Sequence, residues 1–181
     1  MTHEKTLVLY KSVTGFTRAY AEMIAQEIDC TLMELKDAAA EKILGFDTVV
    51  FGSRLRGGTV DGLKKAKSLF AQSQAKKLVI FATGATPNEA REVIEEMWSN
   101  VLTPAEQREI PHFYMQSGLR YERMPFSDRL IMKMFGVMMN RKKEKTEYEK
   151  QMAQAIQGSF DHSSKAFIQP LVALLQSGQT G

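Results

Sequence analysis

Two stretches of the chain, Asp47-Thr48-Val49-Val50-Phe51-Gly52 and Leu78-Val79-Ile80-Phe81-Ala82, are nearly unbroken apolar runs rich in β-branched and aromatic residues. A strand with one wet face alternates apolar and polar side chains, whereas a run without alternation suits a strand buried on both faces, as in a parallel sheet covered by helices. The segments around these runs agree. Thr6-Leu7-Val8-Leu9-Tyr10, Thr31 to Leu35 and Pro111 to Gln116 read as three further short strands, and apolar residues recur at helical spacing from Phe16 to Ile28 and from about Asp61 to Gln72. Thr86-Pro87-Asn88-Glu89 supplies an N-cap, a helix-starting proline and a capping-box glutamate for a helix running to about Asn100. The stretch from about Tyr148 to Leu175 is mainly helical, with a break near Gly158. Strands alternating with helices of this length predict an α/β three-layer sandwich with right-handed crossovers. No linker or repeat interrupts it, so residues 1–181 are expected to form one domain.

One segment does not fit five simple strand-helix units: residues 118–145, between the fifth strand and the last helical stretch. From Arg120 to Lys145 it carries eight Lys/Arg against three Asp/Glu, a local charge of +5 in a chain whose total is +3. Asp128 to Asn140 is helical by pattern, with Arg129, Lys133, Gly136 and Asn140 on a narrow face and Leu130, Ile131, Met134, Phe135 and Met138 opposite. That apolar side is wider than a surface helix needs. The segment is a basic amphipathic helical insertion after the fifth strand.

In an open parallel sheet the ligand sits at the carboxyl ends of the strands, where strand order reverses, so the loops after strands one, three and four are the places for a site. After strand one, Ser12-Val13-Thr14-Gly15-Phe16-Thr17 gathers three hydroxyls and several backbone N–H groups around the start of a helix, and Gly15 permits close approach. This suits a phosphate, because helix N-termini bind anions through unpaired N–H donors and the positive end of the dipole. The dinucleotide pattern GxGxxG and the P-loop pattern GxxxxGK[ST] are absent. After strand three come Ser53-Arg54-Leu55-Arg56-Gly57-Gly58, and after strand four Thr83-Gly84-Ala85.

The first loop resembles the FMN phosphate loop of the flavodoxin family, commonly Ser/Thr-x-Thr-Gly-x-Thr, with Ser12, Thr14, Gly15 and Thr17 at its four specified positions. The resemblance implies a flavodoxin-like sandwich with sheet order 2-1-3-4-5 and non-covalently bound FMN. Val13 and Phe16 would add N–H groups at the phosphate. Ser53 to Gly58 and Thr83 to Ala85 would border the isoalloxazine, with Arg54 or Arg56 stacked on the ring or set as a positive charge favouring its two-electron reduced state. The insertion carries a second resemblance. Gly118-Leu119-Arg120-Tyr121 and Asp128-Arg129-Leu130-Ile131-Met132-Lys133-Met134, with Leu55-Arg56 after the third strand, look like the menaquinone-dependent protoporphyrinogen IX dehydrogenases. Gly57 stands where those enzymes tend to have an aromatic, and the tail from Asp161 diverges.

By this resemblance the protein is expected to be an FMN-dependent dehydrogenase acting on protoporphyrinogen IX or a related reduced substrate, with a quinone acceptor. Arg120, Arg123, Arg129 and Lys133 would meet substrate carboxylates or membrane, and Met124, Met132, Met134, Met138 and Met139 would form an adaptable wall. The rival is an electron-carrying flavodoxin that docks on redox proteins, although the strong acidity usual there is missing. A flavin-free membrane module would leave the phosphate loop without a role. No nucleic-acid partner is expected.

His3, His112 and His162 lack ligand spacing, so no metal is expected. Cys30 is the single cysteine, which excludes an internal disulfide and a CxxC pair and suits a small buried apolar role. Met1 to Lys5 lack a secretory pattern, and no apolar run reaches the roughly 18 to 20 residues of a spanning helix. A cytoplasmic protein follows, with any membrane contact peripheral at the inner face.

Overall fold

The computed structural model describes residues 4–178. β1 (Thr6–Lys11), β2 (Thr31–Glu34), β3 (Thr48–Arg56), β5 (Lys77–Gly84) and β6 (His112–Gln116) form the parallel sheet, in the order β2-β1-β3-β5-β6. The short β4 (Thr59–Val60) folds back antiparallel on the end of β3. This is the expected flavodoxin-like sandwich, because the five long strands taken in chain order stand as 2-1-3-4-5.

The helices are α1 (Phe16–Glu27), α2 (Ala40–Ile43), α3 (Leu63–Gln72), α4 (Arg91–Val101), α5 (Pro104–Glu109), α6 (Phe126–Arg141), α7 (Glu147–Ala155) and α8 (Gln169–Gly178). Alternate side chains of the central strands feed two separate cores. Leu7, Leu9, Val49, Phe51, Leu78 and Ile80 pack with Leu63, Ala66 and Leu69 of α3 and Trp98 of α4. Val8, Tyr10, Val50, Val79 and Phe81 pack with Tyr20, Ala21 and Ile24 of α1 and Leu171, Val172 and Leu175 of α8. The absence of alternation in the sequence runs is this two-sided burial.

Three sequence expectations are corrected. The helix expected from Pro87 begins at Arg91, and the Thr86 capping box does not form. Instead Tyr114 Oη donates to the Thr86 carbonyl at 2.9 Å, while the Asn88 N–H donates to Gln116 Oε1 at 3.2 Å and the Gln116 N–H to Asn88 Oδ1 at 3.1 Å. These partners draw residues 86–88 onto β6. The same sequence pattern at Thr103-Pro104-Ala105-Glu106 does build a complete capping box, at the start of α5.

Second, the break expected near Gly158 in the C-terminal helical stretch is present, but it runs from the end of α7 at Ala155 to the 3-10 turn at Lys165 and holds a strand. α7 packs on α6, and β8 (Phe160–Asp161) pairs antiparallel with β7 (Gly118–Leu119), so the insertion runs to residue 161 instead of 145. Third, Ser53 to Gly58 is not a loop. β3 continues to Arg56 and turns through Gly57 and Gly58, whose φ values of 57° and 79° are those of a two-residue hairpin.

Gly52 on β3 shows how tightly the sheet is packed. A Cβ built there would lie 1.9 Å from Phe81 Cζ, inside the ring that closes the α1/α8 core. Gly52→Ala is expected to destabilise the fold by about 1–3 kcal/mol or more, the usual range for overpacking a well-filled core. Urea unfolding should show a lower midpoint, partly recovered by adding Phe81→Leu.

Candidate functional site

Because β2 and β3 lie on opposite sides of β1, the chain reverses direction across the sheet there, and the crevice at the carboxyl ends of β1, β3 and β5 is where a ligand binds in such folds. The first loop delivers Gly15 in the left-handed conformation, φ 96°, as the N-cap of α1. No side chain caps this helix, which leaves the first-turn N–H groups facing out of its positive end. Ser12 Oγ is shielded from solvent and has no hydrogen-bond partner. Thr17 and Thr83 are buried and share a hydroxyl hydrogen bond of 2.9 Å, which ties the first turn of α1 to the end of β5. Unpaired donors and an unsatisfied hydroxyl around a glycine that lets the backbone approach need an acceptor-rich anion. A monophosphate fits.

Above this nest a pocket opens between the three strand ends. Thr14 and Phe16 line it from the first loop, Arg54 to Gly57 from the β3–β4 hairpin, and Thr83, Gly84 and Ala85 from the end of β5. Ser117, Gly118, Leu119, Met124, Asp128, Ile131 and Met132 close it from the insertion. A family model described as flavodoxin domain matches residues 7–149.

The chain belongs to the flavodoxin domain family. It is therefore a flavin-binding redox protein, and its cofactor is FMN, whose phosphate the Ser12–Thr17 nest suits. Among solved structures, the chain is similar to a flavodoxin from the domain Archaea, at 17% identity, covering 85% of this chain and 99% of that one, with a TM-score of 0.42. It is also similar to a Lactobacillus acidophilus flavoprotein in complex with FMN, at 19% identity, 62% and 92% coverage and a TM-score of 0.43. A third is the rubredoxin oxygen:oxidoreductase of Desulfovibrio gigas, at 14% identity, 96% and 37% coverage and a TM-score of 0.42. No curated protein sequence matches the chain.

In this flavodoxin domain the crevice has a roof, and the roof is fastened by charge. Arg54 Nη1 donates to Asp128 Oδ2 at 2.5 Å and Arg56 Nε to Asp128 Oδ1 at 3.1 Å. Arg54 also faces Asp61 at 3.6 Å, and Lys11 Nζ closes the chain of charges on Asp61 at 2.7 Å. Arg54 and Arg56 thus line the pocket, as a flavin contact requires, yet both are paired with a carboxylate to which sequence reasoning gave no role. The available signal was an acidic residue alone in the first turn of a basic helix. Ser53 is fully buried, and its hydroxyl donates to the Lys11 carbonyl at 3.2 Å, joining β3 to β1. Gly58 sits at the hairpin tip and does not line the pocket.

The four basic residues grouped together from sequence divide between two places. Arg120 reaches the phosphate loop, where it donates to the Thr14 carbonyl at 3.2 Å and lies 4.0 Å over the Phe16 ring, and Arg123 also approaches Gly15. Arg129 and Lys133 instead line a second cavity between α6 and α7, with Asn140 and Tyr121. The neck of the insertion is held by Ser117, whose N–H donates to the Gly84 carbonyl at 2.7 Å, and by Tyr20, whose hydroxyl donates to the Gln116 carbonyl.

His3 lies outside the described residues, and among those described no group of three His, Cys, Asp or Glu side chains could hold a metal. Cys30 is half-buried, and burial pushes its thiol pKa up to about 11.

Burial alone would raise the Asp128 pKa, but the hydrogen bonds and charges of Arg54 and Arg56 outweigh it and bring it below the usual carboxylate value. A carboxyl with a depressed folded pKa stabilises above its unfolded value, about 3.9, and loses that contribution as pH falls through the folded one. The roof should therefore stay fastened at neutral pH and loosen only under stronger acid than an ordinary carboxylate needs. Asp128→Asn should loosen it at pH 7. Hydrogen exchange read by mass spectrometry is expected to show faster exchange in α6 with β1, β3 and β5 still protected; unchanged α6 protection would mean that other contacts hold the roof.

Proposed function

We propose that the protein is an FMN-dependent oxidoreductase that dehydrogenates a flat, apolar, carboxylate-bearing substrate of the protoporphyrinogen IX type and passes the electrons to a quinone. The observation that carries this reading is the roof. An electron carrier that docks on redox proteins needs its flavin edge open to a partner surface, whereas here Met124, Ile131 and Met132 close the crevice with adaptable apolar side chains. When bound, FMN would supply two-electron redox chemistry between the substrate and the quinone. The chain's own residues hold the cofactor phosphate, exclude water from the crevice and orient an acidic substrate through Arg129 and Lys133, which stand on the far side of Met132.

The outer face of α6 supports a site of action at a membrane. Phe126, Met134 and Met138 are 82%, 64% and 59% exposed and lie in one stripe with Leu130 and Val137, flanked by Lys133 and Arg141. No helix among the described residues is long and apolar enough to cross a membrane. A basic amphipathic helix of this kind rests in the headgroup region of an anionic bilayer, where both substrate and quinone partition. The setting proposed is the inner face of the cytoplasmic membrane.

The deciding assay is anaerobic quinone reduction driven by protoporphyrinogen. Wild type is expected to turn over. Arg129→Ala and Lys133→Ala should each raise KM for the tetrapyrrole roughly tenfold, the effect of losing about 1.4 kcal/mol of contact, with little change in KM for a neutral quinone. No turnover alongside rapid electron exchange with a redox protein would favour the electron carrier instead.

A separate measurement tests the membrane face. Protein floated with vesicles of anionic lipid is expected to bind at low salt and to be released at high salt. Phe126→Ser combined with Met134→Ser should abolish flotation while leaving FMN content unchanged.

A further inference from the structure

Within 3.2 Å of one point at the N-terminus of α1 the insertion places two guanidinium groups. A Cβ built on Gly15 would lie 3.0 Å from Arg120 Nη1 and 3.2 Å from Arg123 Nη1. Arg120 is oriented from three sides: Nη1 donates to the Thr14 carbonyl at 3.2 Å, Nη2 pairs with Asp161 at 2.8 Å, and the guanidinium stacks on Phe16. Arg123 is exposed and makes no ion pair with the described residues. Two cations converging on the positive end of a twelve-residue helix repel one another and the helix dipole; Asp161 pairs with Arg120, and Glu122 attracts both arginines without pairing with either. The unpartnered Ser12 hydroxyl lies in the same loop.

We infer that Arg120 and Arg123 form a cationic clamp over the phosphate loop, so that the insertion as well as the loop holds the cofactor through the charge of its phosphate. The inference rests on the FMN assignment and adds a source of binding to it. A phosphate carries close to two negative charges, and guanidinium groups match it with short charge-assisted hydrogen bonds. Neutral donors alone, the hydroxyls and N–H groups of Ser12 to Thr17, would hold the phosphate without balancing it. Asp161, at the far end of the insertion on β8, acts as a positioning residue by fixing Arg120 across the β7–β8 pair. Closure of the roof and retention of the cofactor are thereby coupled, because the segment that covers the crevice also carries the clamp.

The test compares FMN with riboflavin, which has the same ring system and no phosphate. Apoprotein of wild type, Arg120→Gln, Arg123→Gln, the double variant and Arg120→Lys is titrated with each flavin, followed by quenching of flavin fluorescence at low and high salt. Each Gln variant is expected to lose roughly tenfold in FMN affinity, or about 1.4 kcal/mol, and the double variant more. Riboflavin affinity should stay within about threefold of wild type. Arg120→Lys should recover part of the loss, and high salt should weaken FMN binding by wild type more than by the double variant. Equal loss for both flavins, or unchanged FMN affinity, would overturn the clamp. Failure of wild type itself to bind FMN would instead overturn the cofactor assignment. If Arg120→Gln unfolds, as thermal melts would show, Arg123→Gln decides alone, since its side chain is exposed and makes no ion pair.

Discussion

The central strands β1, β3 and β5 are dry on both faces, and that requirement places the rest of the molecule. Leu7, Leu9, Val49 and Phe51 face one helical layer while Val8, Tyr10, Val50 and Val79 face the other, so helices must cover both sides. Parallel strands joined by right-handed crossovers then send their carboxyl ends to one edge. The phosphate nest, the β3–β4 hairpin and the end of β5 meet at that edge as a consequence of core burial. Site and core even share residues. Ser53 and Thr83 are fully or almost fully buried parts of strands, and through Lys11 and Thr17 they lock the first loop in place.

The insertion is held by different forces. Its main helix buries one apolar residue, Met139, and one charged residue, Asp128. Polar contacts attach it to the sheet domain: Asp128 with Arg54 and Arg56, Arg120 with Thr14, Tyr148 with Thr86, and the neck at Ser117. The Arg54 and Asp128 side chains are only 18% and 9% exposed, so their desolvation offsets much of their attraction. The pair's value lies in orientation, since it fixes which face of α6 meets the crevice. Elements fastened by a few polar contacts occupy the low-stability end of a protein's local unfolding spectrum, and that is where a roof that must open to substrate belongs.

How far the sequence could be read shows most clearly where one pattern occurs twice. Thr86-Pro87-Asn88-Glu89 and Thr103-Pro104-Ala105-Glu106 carry the same local instruction for starting a helix. Only the second obeys it, because Tyr114 and Gln116 of β6 capture the backbone and side chain of the first. Neither competitor is near in sequence. The grouping of Arg120, Arg123, Arg129 and Lys133 dissolved for a related reason. Charge counting registers a basic segment, but a 3-10 turn at Tyr121–Arg123 followed by a helix sends the first two arginines to the phosphate loop and the last two to the cavity under α7.

The sequence by itself determined what depends on near neighbours along the chain: two-sided burial in the unalternating runs, helix periodicity, strand order by family resemblance, and a hydroxyl-rich glycine loop built for a phosphate. Tertiary structure alone decided that the third-strand loop is a strand and hairpin, that the insertion extends to residue 161, that Asp128 takes up both pocket arginines, and that Arg120 and Arg123 converge on Gly15. Apart from the hairpin, whose pairs Leu55 with Val60 and Arg56 with Thr59 are close in the chain, each of these is a contact between residues far apart in it, such as Arg54 with Asp128 or Gly118 with Asp161. Charge and hydrogen-bond partners are chosen by distance in space, which local pattern does not encode.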